Sequence, residues 1–130
     1  MHAAPWRILR QCLEESPDAA VGIQRFFEAA ADEMASDYTF GCPVAPIILD
    51  TLSVDSELAK ACRAALDEWT ALYCSALVRF GLTPERSERI AHLIVASLEG
   101  ALITARSRRD AGEIRMIGEE MAALVQAALS

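Results

Sequence analysis

Apolar positions along this chain recur at three- to four-residue steps almost throughout, and nowhere alternate over a useful length. The pattern predicts helices and no strands. It is clearest over residues 83–129. Thr83 is placed to cap a helix whose first turn takes Pro84, Glu85 and Glu88. A proline there needs no amide donor, and acids suit the positive end of a helix. Ile90, Leu93, Ile94, Leu98, Ala101, Leu102 and Ala105 then follow at helical spacing, until Arg106, Arg108 and Arg109 place positive charge where the C-terminal dipole favours it. After Asp110, Ala111 and Gly112 the pattern resumes as Ile114, Ile117, Met121, Leu124 and Ala128. That is a second amphipathic helix.

The first of these helices carries another face. Ala96, Gly100, Ile103 and Ser107 lie at three- to four-residue steps and are mostly small, so a second helix backbone has room to approach. A helix of about 24 residues runs roughly 36 Å, and one with apolar material on two sides is not satisfied by a single neighbour. The pair therefore predicts half of a four-helix bundle closed by a second copy of the chain. Its interface would carry Ala96, Gly100, Ile103 and Ser107 from one helix and Ile114, Ile117, Met121 and Leu124 from the other. The alternative is that both helices fill one monomeric core.

Upstream, a short helix begins near Pro5 and carries Trp6, Ile8, Leu9, Cys12 and Leu13 until Ser16 and Pro17 stop it. Pro17 and Asp18 open a second helix with a bulky stripe of Ile23, Phe26, Phe27, Ala30 and Met34, ending around residues 35–37. Gly41, Pro43 and Pro46 then impose a structured turn over residues 38–46. Ile47, Ile48, Leu49 and Leu52 predict a short apolar helix, after which Ser53 or Asp55 caps a long one. That helix carries Leu58, Cys62, Ala65, Leu66, Trp69, Leu72, Tyr73, Ala76, Leu77 and Phe80, and Gly81 supplies a left-handed stop. The expected fold is all-α, one domain of about six helices over residues 1–130.

The chain's 130 residues are enough to bury a core without disulfides or metals. A formal net charge of −7 argues against a generic nucleic-acid surface, and the Arg106 to Arg109 cluster is too small to reverse that. No apolar run approaches the roughly 20 residues needed to cross a bilayer, and the N-terminus lacks a signal-peptide pattern, so a cytoplasmic protein without membrane contact is expected. Cys12, Cys42, Cys62 and Cys74 form no CxxC pair and are expected as reduced, mostly buried thiols.

Candidate chemistry is sparse. Phe26, Phe27, Met34, Trp69, Tyr73 and Phe80 are candidates to line an apolar ligand pocket, with core packing as the alternative. His92 is a possible ligand contact or a packed histidine. Glu88 and His92 are spaced i, i+4, but a bundle metal site needs paired Glu-x-x-His motifs and more carboxylates, so neither metal nor cofactor is expected. Nothing nominates a catalytic residue; Cys42 is the thiol with least obvious packing. Glu99 stands inside an apolar stretch and reads as a buried hydrogen-bonding anchor, with ligand contact as the alternative.

The turn Gly41-Cys42-Pro43-Val44-Ala45, the Glu68-Trp69 step before a glycine-ended helix, and the run from Ser97 through Glu99-Gly100-Ala101 to Arg106, with Arg109-Asp110 after it, together resemble the C-terminal domain of TetR-family transcriptional regulators. The branch they are most similar to contains the LmrA and YxaF repressors. The resemblance covers nearly the whole chain, its first residues resembling the distal half of the helix that leaves the DNA-binding head. It implies a ligand cavity for a small apolar effector and a homodimer. Family members begin with a helix-turn-helix head of about fifty residues, and no counterpart is expected here. DNA contact is therefore expected of a full-length form and not of this chain itself. A free-standing helical dimerisation or interaction protein is the other reading.

Overall fold

The computed structural model describes residues 5–39, 41–42, 44–50 and 55–130, and among these described residues glycines, prolines and polar caps delimit six helices. They are α1 (Pro5–Glu15), α2 (Ala19–Ser36), α3 (Ala45–Asp50), α4 (Glu57–Arg79), α5 (Pro84–Arg108) and α6 (Gly112–Leu129). No strand occurs among the described residues. Phe40, Pro43, Leu52 and Ser53, and the side chains of Trp6, Ile47, Ile48 and Leu49, lie outside the described residues.

The boundaries follow local chemistry. Asp18 accepts a hydrogen bond from Val21 N at 2.9 Å and so caps α2. Thr83 caps α5 by accepting from Arg86 N at 3.3 Å, with Pro84 in the first turn. The cap of α4 is Ser56, which accepts from Ala59 N at 3.0 Å. This corrects the expectation of Asp55, because the oxygen that reaches an amide three residues on is the serine's. Gly81 has φ +110°, and Leu82 N donates to Leu77 O at 3.0 Å, closing α4 as the glycine predicts. At the other turn an arginine takes the left-handed position. Arg109 has φ 52°, and Asp110 N donates to Ala105 O at 2.9 Å. Asp110 then turns the chain into α6, its side chain accepting from Gly112 N.

Packing sorts the helices into one core. α2 lies principally on α6, α4 on α5, and α1 against α2. The wide stripe of α2, with Ile23, Phe27, Ala31 and Met34 fully buried, meets Ile114, Gly118, Ala122 and Val125 of α6. Gly118 permits this approach: a Cβ there would lie 2.5 Å from Phe27 Cβ. α1 crosses α2 as closely, since a Cβ on Gly22 would lie 2.8 Å from the Cys12 carbonyl oxygen. Arg79 of α4 donates to the Leu13 carbonyl at 3.0 Å, and Arg25 of α2 to Ser16 Oγ at 3.1 Å, so two later helices hold the end of α1.

By length and composition α5 does reach the minimum for crossing a bilayer, which corrects the sequence estimate. Its alanines and aliphatics add up to that threshold although Glu99 interrupts them. Ile90, Ala91, Ile94, Ala101, Leu102 and Ala105 are buried inside the domain, which accounts for much of that apolarity as a core helix.

Candidate functional site

The turn after α2, the short helix α3 and the C-terminal half of α5 enclose a cleft of about 560 Å³. The turn contributes Gly41 and Cys42, α3 contributes Ala45, Pro46 and Asp50, and α5 contributes Glu99, Leu102, Ile103, Arg106 and Ser107. Their order on α5 explains the wall: positions 99, 102, 103, 106 and 107 fall on one side of a helix. The volume suits a small organic molecule, and the lining is largely apolar with a few polar groups, as ligand sites usually are.

Glu99 and Cys42 face each other across this space. The Cys42 thiol donates to the Glu99 carboxylate, while the backbone N–H groups of Val44 and Ala45 donate to the sulfur. Burial, then the neighbouring Glu99 carboxylate, push the Cys42 thiol up to about 12. It is therefore a thiol at neutral pH and a poor nucleophile. Desolvation raises the Glu99 carboxyl above its ordinary range, only partly offset by the thiol's hydrogen bond. Behind them, Tyr73 of α4 is fully buried, and its hydroxyl has no hydrogen-bond partner among the described residues. Burial, then Cys12 and Glu99, hold that hydroxyl well above the ordinary tyrosine range.

The aromatic and methionine candidates are dispersed. Phe26, Phe27 and Met34 are buried in the α2 face of the core, Phe27 against Gly118. Trp69 is half-buried on α4, with Tyr73 one turn on. Phe80 is half-buried at the end of α4 with the Arg79 guanidinium 5.1 Å from its ring centre, and His92 is exposed. None of these seven lines the cleft between α3 and α5. The residues that do line it carry two signals visible in the sequence, an acid inside an apolar helix and a cysteine inside a proline-rich turn. Asp50 and Arg106 carry no such mark.

The second feature is a surface. Ala96, Gly100, Ile103 and Ser107 are all exposed on α5, Ile103 by 54%, and a Cβ on Gly100 would meet nothing within 4 Å. On α6, Ile117, Met121 and Leu124 are half-buried. Ile114 is fully buried within the chain, so it supports α6 from inside and presents nothing to a partner; this corrects its assignment to an interface. The i, i+3/i+4 series from Ile114 leads inward to Gly118, Ala122 and Val125, whereas Ile117 starts the outward one. Ile103 and Ser107 belong both to the exposed face and to the cleft wall.

The chain is similar in sequence to several transcriptional regulators. YxaF, an uncharacterized HTH-type transcriptional regulator of Bacillus subtilis, is 23% identical over 120 residues, covering 92% of this chain and 63% of that protein. An uncharacterized HTH-type transcriptional regulator of Mycobacterium tuberculosis is 28% identical over 102 residues, 74% of this chain and 52% of its own. The HTH-type transcriptional regulator LmrA of Bacillus subtilis is 27% identical over 96 residues, 73% of this chain and 51% of its own. The chain thus spans between half and two thirds of the length of these relatives. A family model described as the C-terminal domain of LmrA/YxaF-like transcriptional regulators matches residues 19–120, and the chain belongs to that TetR-type family.

Proposed function

We propose that this chain is the ligand-sensing and dimerisation domain of a TetR-type transcriptional repressor. One observation carries the reading: Ile103 and Ser107 of α5 line the cleft and also stand on an exposed face of small and apolar side chains. A molecule seated in the cleft therefore touches the same helix that a second copy would pack on. A ligand that prefers one arrangement of the two helix pairs shifts the population toward it by the difference of its two affinities. The α5 and α6 faces of two copies form a four-helix bundle in this reading, with Gly100 allowing close approach. The effector is a small, largely apolar molecule, and DNA is contacted by a helix-turn-helix outside these residues. The acidic balance of −7 fits a domain that does not itself touch DNA. A cytoplasmic location goes with this role.

Fusing the chain to a DNA-binding module that represses only as a dimer tests the reading. Repression of a reporter, lost with Gly100→Arg in an equally abundant fusion, is the expected result. A folded fusion that never represses overturns it.

A further inference from the structure

We propose that the cleft between α3 and α5 binds a small amphiphilic cation, a protonated or quaternary amine on an apolar body, with Glu99 as its counter-ion. The inference rests on the sensor reading and names the ligand class.

The geometry supplies three reasons. Glu99 lies on the cleft wall, half-buried, and its partner is a neutral thiol; no ion pair reaches it among the described residues. A desolvated acid without counter-charge is a costly arrangement, and a cationic guest removes that cost where a neutral or anionic one does not. Asp50 stands exposed on the same cleft as a second acid, so the wall carries two carboxylates against one arginine, Arg106. Arg106 is exposed, with its guanidinium beside Gly41 of the turn, which leaves the wall around Glu99 to the acid. Finally, Pro46, Leu102 and Ile103 give an apolar bed to the body of such a molecule.

The groups facing Glu99 define its proton balance. They are the Cys42 thiol from the turn and the Tyr73 hydroxyl from α4, while Asp50 of α3 and Arg106 of its own helix line the same cleft. Tyr73 is a buried donor with no acceptor among the described residues, and the Glu99 charge acts on it. Docking of a cation favours the ionised Glu99 that this hydroxyl and the thiol would both stabilise.

Three probes with one apolar body separate the outcomes: phenylbutylamine, phenylbutanol and phenylbutyrate, titrated calorimetrically into the full chain. At pH 7 the amine is expected to bind about ten-fold more tightly than the alcohol, the effect of one charged hydrogen-bonding contact, and the carboxylate more weakly than either. Glu99→Gln should erase the amine's advantage over the alcohol. The wild-type chain gives an independent reading: the amine's advantage should shrink as pH falls toward the ordinary glutamate value of 4.5, because Glu99 takes up its proton before reaching it. Equal binding of amine and alcohol overturns the cation class and leaves the sensor reading standing. Preference for the carboxylate overturns it in favour of Arg106. Failure of all three on a folded dimer overturns both.

Discussion

Replacing Gly118 by alanine tests the packing that fixes α6 on α2. The added Cβ would stand 2.5 Å from Phe27 Cβ, 2.9 Å from Cγ and 3.3 Å from Cδ2. The nearest of these atoms is bonded to the backbone of α2, so no rotamer change moves it away; the two helices must separate or Phe27 must tilt. Phe27 is fully buried, which leaves it no free space to tilt into. Overpacking of this kind costs about 1–3 kcal/mol. The alanine also removes a helical glycine, a gain of about 1 kcal/mol. Because the contact falls well inside any ordinary carbon separation, the upper part of the cost range applies and the net loss is about 2 kcal/mol. For a domain of this size that lowers the melting temperature by roughly 5–10 °C. Gly22→Ala is a second instance, its Cβ meeting the Cys12 carbonyl oxygen at 2.8 Å and Leu13 Cα at 3.2 Å. Urea unfolding followed by circular dichroism at fixed protein concentration measures both. A Gly118→Ala midpoint equal to or above the wild type would refute the close approach, since helix propensity alone would then govern the site.

Three further outcomes follow from local features. Asp18→Ala removes the side chain that accepts from Val21 N and should cost about 1 kcal/mol in chemical denaturation. Arg109→Gly relieves a left-handed residue that costs a side chain about 1 kcal/mol, offset in part by loss of the guanidinium 6.0 Å from the Tyr38 ring centre, so thermal stability should rise slightly or hold. Glu99 has a raised carboxyl pKa, so the folded state holds its proton more tightly than the unfolded chain; its contribution to stability is best below 4.5 and is lost as pH rises through the folded value. The melting temperature of Glu99→Gln minus that of the wild type should therefore increase from pH 4 to pH 7, and a flat difference would contradict the desolvation of Glu99.

The helices were legible because their ends are written in short-range chemistry. Thr83 with Pro84, Asp18 after Pro17, and Gly81 each act within one turn, and the structure uses all three. The small face of α5 was legible for the same reason, as Ala96, Gly100, Ile103 and Ser107 share a side at fixed spacing and are all exposed. Ile114 turns inward for a reason no local pattern shows: two apolar stripes run side by side on α6, and which of them faces the core depends on Phe27, some ninety residues earlier, settling on Gly118. The cleft was less visible still. It exists only where the turn at Gly41 and Cys42 meets α5, a contact across more than fifty residues that no local pattern encodes. Glu99 stood out as an acid among apolar neighbours, yet its partner, a thiol in the turn, is a tertiary fact.

Sedimentation velocity of the isolated chain, across a concentration series through the micromolar range, addresses the central claim most directly. A dimer closed by the α5 and α6 faces should bury well over about 1,000 Å² and sediment as a dimer at low micromolar concentration. Gly100→Arg introduces its side chain where the chain itself has nothing within 4 Å, so the helices should keep their circular dichroism spectrum while the protein sediments as a monomer. A wild type that stays monomeric throughout, or a folded Gly100→Arg variant that remains as dimeric as the wild type, would contradict the account.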